Sequence, residues 1–208
     1  MTRPRRKRLT ARSRREVIER AATQVFAERG YHGASIDEIA RRSDVTPPVV
    51  YDHFDSKREL HRRLLERHFA ELREVWSEHM LTDTPAKQRV AGAFDAWFAY
   101  VEAHPYAWRM LFRETTGDPE IEAMHRDVAA ASRAAVMPLL ARELPASAEA
   151  EAIEMTWEAV RGVLQGLALW WYEHRDVPRA QVVATAMNVL WVGLERASRE
   201  RRRPARHG

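Results

Sequence analysis

Between Ser35 and Leu60 the chain reads SIDEIARRSDVTPPVVYDHFDSKREL, and the reading of this stretch decides the fold. Ser35 stands three residues before Glu38, the spacing of a capping box, and Ile36, Ile39 and Ala40 follow on one face of a short helix. Ser43 and Asp44 interrupt it. Thr46 then takes the N-cap position of a second helix, with Pro47 and Pro48 at its first two positions, where no intrahelical N–H is needed. This helix is brief, ending near His53 and Phe54, and Ser56 with Glu59 repeats the capping box to open a long helix to about Met80. Two short helices joined by a tight turn, the second proline-initiated and polar at its end, form the outline of a helix-turn-helix. Such a pair can set its second helix into a DNA major groove. An ordinary helical hairpin shares that outline, so the residues around the second helix must separate the two.

Upstream, Val17, Ile18, Ala21, Ala22, Val25 and Phe26 line one helical face, with Ser13 and Glu16 read as its capping box and Gly30 as its left-handed stop. Downstream, Thr82-Asp83-Thr84-Pro85 is the best domain break. Helical segments follow over about 86–104, from Pro105, and over about 119–143, 147–174 and 178–199, punctuated at Gly117-Asp118-Pro119, Leu144-Pro145 and Asp176-Val177-Pro178. No segment alternates with period two, so an all-α chain is expected.

The overall charge of +4 hides an uneven spread. Residues 1–80 carry 18 Lys/Arg against 13 Asp/Glu, residues 81–195 carry 10 against 16, and residues 196–208 carry 6 against 1. A basic head on an acidic body points to a polyanion met by one end. Arg3, Arg5, Arg6, Lys7, Arg8 and Arg12 make residues 1–12 a basic arm whose self-repulsion predicts disorder; a minor groove or flanking phosphates would suit it, as would a solubilising role. The basic tail, 200–208, reads as solvated. Cysteine is absent, which excludes disulfides, thiolate metal sites and cysteine nucleophiles and fits a cytoplasmic location. No apolar run reaches the roughly 18 residues of a membrane helix, and the charged N-terminus is not a secretory signal.

Tyr51, His53, Phe54, Lys57 and Leu60 stand in the pattern Tyr-x-His-Phe-x-x-Lys-x-x-Leu, preceded by Ala22, Phe26, Gly30, Tyr31, Ser35, Ile36, Ile39, Ala40 and Val45 at matching spacing. Over roughly residues 13–65 the chain resembles the TetR family of bacterial transcriptional regulators. The resemblance implies a three-helix DNA-binding domain over 13–60, with a linking helix to about 80, and a helical effector-binding and dimerisation domain over 81–199. It implies that Ser35, Tyr51, His53 and Lys57 meet DNA phosphates. Thr46 would cap the recognition helix and could add a phosphate contact. Pro47, Pro48 and Val49 fall at the helix tip, where apolar groups can touch thymine methyls. Val45, Val50 and Phe54 are assigned to the core. Two positions depart from the family pattern: the usual Ala-Gly of the turn is Ser43-Asp44, and the usual glycine of the recognition helix is Pro48. Asp44 is expected to accept a left-handed backbone.

The resemblance further implies dimerisation through the last two helices, and the residues support this independently. Met155, Ala159, Val160, Val163, Leu167, Trp170 and Trp171 make a broad apolar surface, as do Val182, Val183, Ala186, Val189, Leu190 and Leu194, while Gly162, Gly166 and Gly193 permit close approach. A two-fold dimer through 147–174 and 178–199 predicts a palindromic operator in double-stranded DNA. For a small, largely apolar or aromatic effector, the candidate lining is Phe94, Trp97, Phe98, Trp108, Met110, Phe112, Met124 and Trp170, with His104, Arg109, Arg113 and His125 as polar handles. Helical periodicity makes most of these core residues by default. The expected function is a homodimeric repressor released by that effector; an activator, or a regulator without effector, is the alternative, and a helical interaction module the alternative from another class. An enzyme is not expected: no phosphate loop, nucleophile elbow or His-Glu-x-x-His occurs, and no cofactor or metal is implied. His61 and His68 lie two turns apart, about 10 Å, too far to share one metal.

Overall fold

The computed structural model describes residues 10–112, 119–142, 144 and 149–201, with the side chains of Ser132 and residues 192–201 left aside. The basic arm up to residue 9, Arg113, Gly117, Asp118, Pro145 and the tail from 202 lie outside the described residues, as do the side chains of Gly193 and Leu194. The described residues are helical and turn-linked: α1 (Ala11–Gly33), α2 (Ile36–Arg42), α3 (Pro47–Tyr51), α4 (Lys57–Met80), α5 (Ala86–Ala103), α6 (Pro105–Phe112), α7 (Pro119–Ala141), α8 (Ala150–Glu173) and α9 (Arg179–Arg201). The all-α reading holds.

Local chemistry sets the boundaries. The first cap is Thr10, whose Oγ1 accepts from the Ser13 backbone N–H at 3.1 Å; Ser13 therefore lies inside the helix, and Glu16 pairs with Arg12 instead. Gly30 breaks α1 with φ 71° and ψ 177°, a combination all but closed to residues with a Cβ, and one more turn follows to Gly33. The expected positive φ is thus present, but as a kink rather than a terminus. Ser35 caps α2 by accepting from the Glu38 N–H at 3.2 Å. Ser56 accepts from the Glu59 N–H at 3.0 Å, while Glu59 reaches back to the Asp55 N–H at 2.9 Å.

Thr46 occupies the N-cap of α3 but makes no capping bond through its side chain. An N-cap oxygen bonds the N–H of the second or third helical residue. Pro48 has no N–H to offer, and the Val49 N–H bonds the Thr46 backbone carbonyl at 3.0 Å. Asp44 takes φ 55°, the left-handed conformation expected of the turn.

Two compact units result: Met1–Arg67 with Tyr106–His125, and His68–Pro105 with Arg126–Gly208. In the first, α2 packs on α1 and on α3. Its core collects Ile18, Val25, Phe26, Ile39, Val50, Phe54, Leu60, Leu64 and Leu65, all essentially inaccessible, and each such side chain contributes roughly 1.5–3 kcal/mol by burial. Val50 and Phe54 are core as expected, whereas Val45 is only half-buried. In the second unit α5 packs on α9 and α8, and α8 on α9. Trp171 donates from Nε1 to the Val177 carbonyl at 2.8 Å, closing the turn between α8 and α9. Arg179 bridges Asp95 at 2.9 Å and Glu102 at 2.7 Å, fixing the start of α9 to α5.

Candidate DNA-binding face and effector domain

The recognition helix α3 is held from beneath and bare on top. Val50 points inward, while Tyr51 is 52% exposed and Ser35, Thr46 and Pro48 are also exposed. Pro47, Val49 and His53 are intermediate, the His53 ring lying 6.4 Å from that of Phe54. The eight residues expected to meet DNA therefore share one unit, but they do different things. Ser35 uses its hydroxyl as a cap. Val49 and Pro48 leave an apolar tip with few hydrogen-bonding groups, suited to shape and methyl contact rather than to bidentate reading of bases.

Lys57 is turned toward the protein. Its Nζ donates to the carbonyls of Tyr31 at 3.0 Å and Ala34 at 3.1 Å and lies 4.4 Å from the centre of the Tyr31 ring. Burial lowers the pKa of this ammonium from its ordinary value. Two of its three N–H donors thus close the link between α1 and α2 onto the start of α4. Hydrogen bonds to a charged donor contribute about 1.5–3 kcal/mol, so Lys57→Ala is expected to lower unfolding stability by roughly that amount, read as a lower urea midpoint at unchanged m. A loss of DNA affinity with undiminished stability would instead assign Lys57 to the phosphates alone.

Arg42 completes the scaffold. Its Nη2 sits 2.7 Å from both Glu28 and Glu38, which joins α2 to α1. The hydrogen bond from Arg42, then that from Gln24, holds the Glu28 carboxyl below its usual range. Neither this network nor the Thr10 cap was singled out from the sequence, although Glu38 and Arg42 stand at ion-pair spacing.

The two described domains are those of a known family. Residues 18–64 match the family model for bacterial regulatory proteins of the tetR family, and residues 86–193 match the tetracyclin repressor-like C-terminal domain. The chain is 31% identical over 189 residues to the HTH-type transcriptional activator FasR of Mycolicibacterium smegmatis, covering 90% of this chain and 85% of FasR. This chain belongs to the TetR family. It is a DNA-binding transcriptional regulator and not an enzyme. Among solved structures it is similar to a TetR-like regulator from Rhodococcus sp. RHA1, with TM-score 0.73 and 22% identity over 90% of this chain and 99% of that one. It is also similar to FadR of Bacillus subtilis in complex with stearoyl-CoA, with TM-score 0.69 and 17% identity over 85% and 96% of the two chains.

Within this TetR-family fold the expected effector lining divides. Phe94, Trp97 and Phe98 lie buried on α5 in the second unit, Trp97 and Phe98 meeting edge-to-face at 5.0 Å. Trp108, Met110, Phe112 and Met124 belong to the first unit, with Trp108 and Phe112 6.5 Å apart. Trp170 is 46% exposed, stacks on His174 at 4.1 Å, and lines a groove of about 320 Å³ with Leu167, Val177, Gln181, Val182 and Thr185. His61 and His68 turn to different partners, His61 to His125 and His68 to Tyr100 and Glu71. Among the described residues no helix is long and apolar enough to cross a membrane, and no three His, Cys, Asp or Glu gather as a metal would need.

Proposed function

We propose that this regulator acts as a cytoplasmic homodimer on a palindromic operator and that an apolar, acyl-type effector sets its DNA affinity. The observation that carries the dimer is the outer face of α8. Val160, Leu164, Ala168 and Trp171 are buried within the chain, yet on the opposite face Met155, Ala159, Gly162, Gly166, Leu169 and Trp170 are all exposed. Their spacing, a near-heptad, makes a continuous apolar stripe, and a Cβ built on Gly162 or Gly166 would meet nothing among the described residues within 4 Å. Such a helix, apolar on both sides, requires a second layer.

The effector class is supported by the buried aromatic residues of α5, Phe94, Trp97 and Phe98, and by a structural neighbour solved with stearoyl-CoA. DNA contacts are assigned to Ser35, Thr46, Pro47, Pro48, Val49, Tyr51 and His53, with Lys57 steadying the face they form. Release of the operator by effector makes the protein a repressor. The activator FasR, at 31% identity, favours a second reading in which the same DNA binding promotes transcription.

Genomic fragments retained by the protein, followed by mobility shifts with acyl-CoA and free fatty acids of graded length, test the reading. Palindromic fragments and a shift abolished, or made dependent, by long acyl chains are expected. DNA binding indifferent to every acyl ligand that the protein binds would sink the effector mechanism. Reporter output with and without the gene separates repression from activation.

A further inference from the structure

Within the first unit, α4 and the N-terminal part of α7 meet at two imidazoles. His61 is 2% exposed, and its Nε2 lies 3.1 Å from Nε2 of the half-buried His125. Phe26 and Tyr31 of α1 enclose the His61 ring at centroid distances of 4.5 and 5.2 Å. Among the described residues the other nitrogen, His61 Nδ1, is buried without a hydrogen-bond partner. A bond between two Nε2 atoms needs one N–H and one lone pair, so the neutral pair shares a single proton there. If His61 donates, its Nδ1 is an unmet acceptor; if His125 donates, His61 Nδ1–H is an unmet donor. Either arrangement carries the cost of one buried unsatisfied polar atom.

An added proton makes the closed geometry worse. Placed on His61, it keeps the contact through Nε2–H to the His125 lone pair, but it buries a cation against two aromatic rings and leaves a charged Nδ1–H without an acceptor. Placed on His125, it keeps the contact but fixes His61 in the tautomer with the unmet donor. We propose that the His61–His125 pair is a proton-operated latch, which holds the start of α7 against α4 when neutral and releases it when protonated. The contact bears on the helix-turn-helix because α4 also carries Lys57, which is bonded to the carbonyls that precede α2.

The charged neighbours agree in sign. Burial, then His125, then Lys57 lower the His61 pKa to about 3, and burial lowers that of His125. Lys57 lies on α4 one turn before His61, and Arg58 of α4 pairs with Glu120 of α7 at 2.6 Å. Glu122 and Arg126 are the further charged side chains on this part of α7, and Tyr31 and His32 are the titratable ones of α1 that neighbour the pair. Because the closed-state pKa lies below the free value of about 6.5, the open state takes up protons first as pH falls through that value. The closed form is fully favoured above that value and progressively lost below it. Between pH 7.5 and 5.5 the opening equilibrium rises about tenfold for His61 alone, while carboxylates of ordinary pKa stay ionised.

Hydrogen exchange on the full chain at pH 7.5 and 5.5, expressed as protection factors, tests this. Residues 57–64 and 119–126 should lose about tenfold protection at pH 5.5, with α8 and α9 unchanged. His61→Phe, which fills the same aromatic niche without a titratable group, should remove the pH dependence; His61→Gln serves if the phenylalanine variant does not fold. Equal protection at both pH values, or the same loss persisting in the variant, overturns the latch. Protection gained only on adding Zn2+ also overturns it, by assigning the pair to a metal.

Discussion

Gly166→Arg is expected to leave each chain folded, to dissociate the dimer by at least about a thousandfold, and with it to abolish tight operator binding. A Cβ added at position 166 finds no atom of the described residues within 4 Å, so the single chain has room for a side chain to start there. Replacing a helical glycine also favours the helix by a few tenths of a kcal/mol or more. Across a two-fold interface the same substitution buries two unpaired guanidinium groups. Each costs about 3–5 kcal/mol, and each 1.4 kcal/mol is a factor of ten in the dissociation constant. Analytical ultracentrifugation at micromolar concentration should show a monomer whose helical circular dichroism and melting remain cooperative. A mutant that still sediments as a dimer would remove the outer face of α8 from the interface. The operator consequence follows from symmetry: one monomer holds one half-site, and the second recognition helix no longer adds its contacts at high effective concentration.

What could be read without coordinates was what the chain encodes locally. Ser35 with Glu38 and Ser56 with Glu59 specify helix starts within four residues, and both caps are made. The left-handed turn at Asp44 follows from its position between two short helices. Thr46 holds the N-cap position without a hydroxyl bond for an equally local reason: Pro48 has no N–H, and the Val49 N–H goes to the Thr46 carbonyl. At α1 two hydroxyl residues three apart compete, and Thr10 takes the cap while Ser13 supplies the N–H.

Long-range partners leave no such trace. Lys57 reaches carbonyls 26 and 23 residues away, and His61 finds His125 at a separation of 64. Period 3.6 shows that Phe94, Trp97, Trp108 and Met110 are buried, but not that they fall into two units. The double-sided face of α8 was visible as apolar breadth; only the structure divides it into an inner row and an outer stripe.

The second large effect is expected at Tyr51. Tyr51→Ala should weaken operator binding by about 150-fold or more, from about 1.5 kcal/mol or more for each of two hydrogen bonds to charged phosphate in the dimer. Its side chain is 52% exposed, whereas its neighbour Val50 is wholly buried, so the substitution removes a reaching group without opening the core. Thermal stability should therefore hold within about 0.5 kcal/mol. A hydroxyl contact to phosphate carries no sequence information, so affinity should fall by the same factor on the best operator and on mismatched ones. Nor does it neutralise charge. The slope of log K against log salt, which changes by about 0.9 for each phosphate neutralised by a cation, should stay constant. A selective loss on the best operator would place Tyr51 on a base edge. Unchanged affinity would mean that the exposed side of α3 is not the side that faces DNA, and the apolar tip at Pro48 and Val49 would lose its assigned role with it.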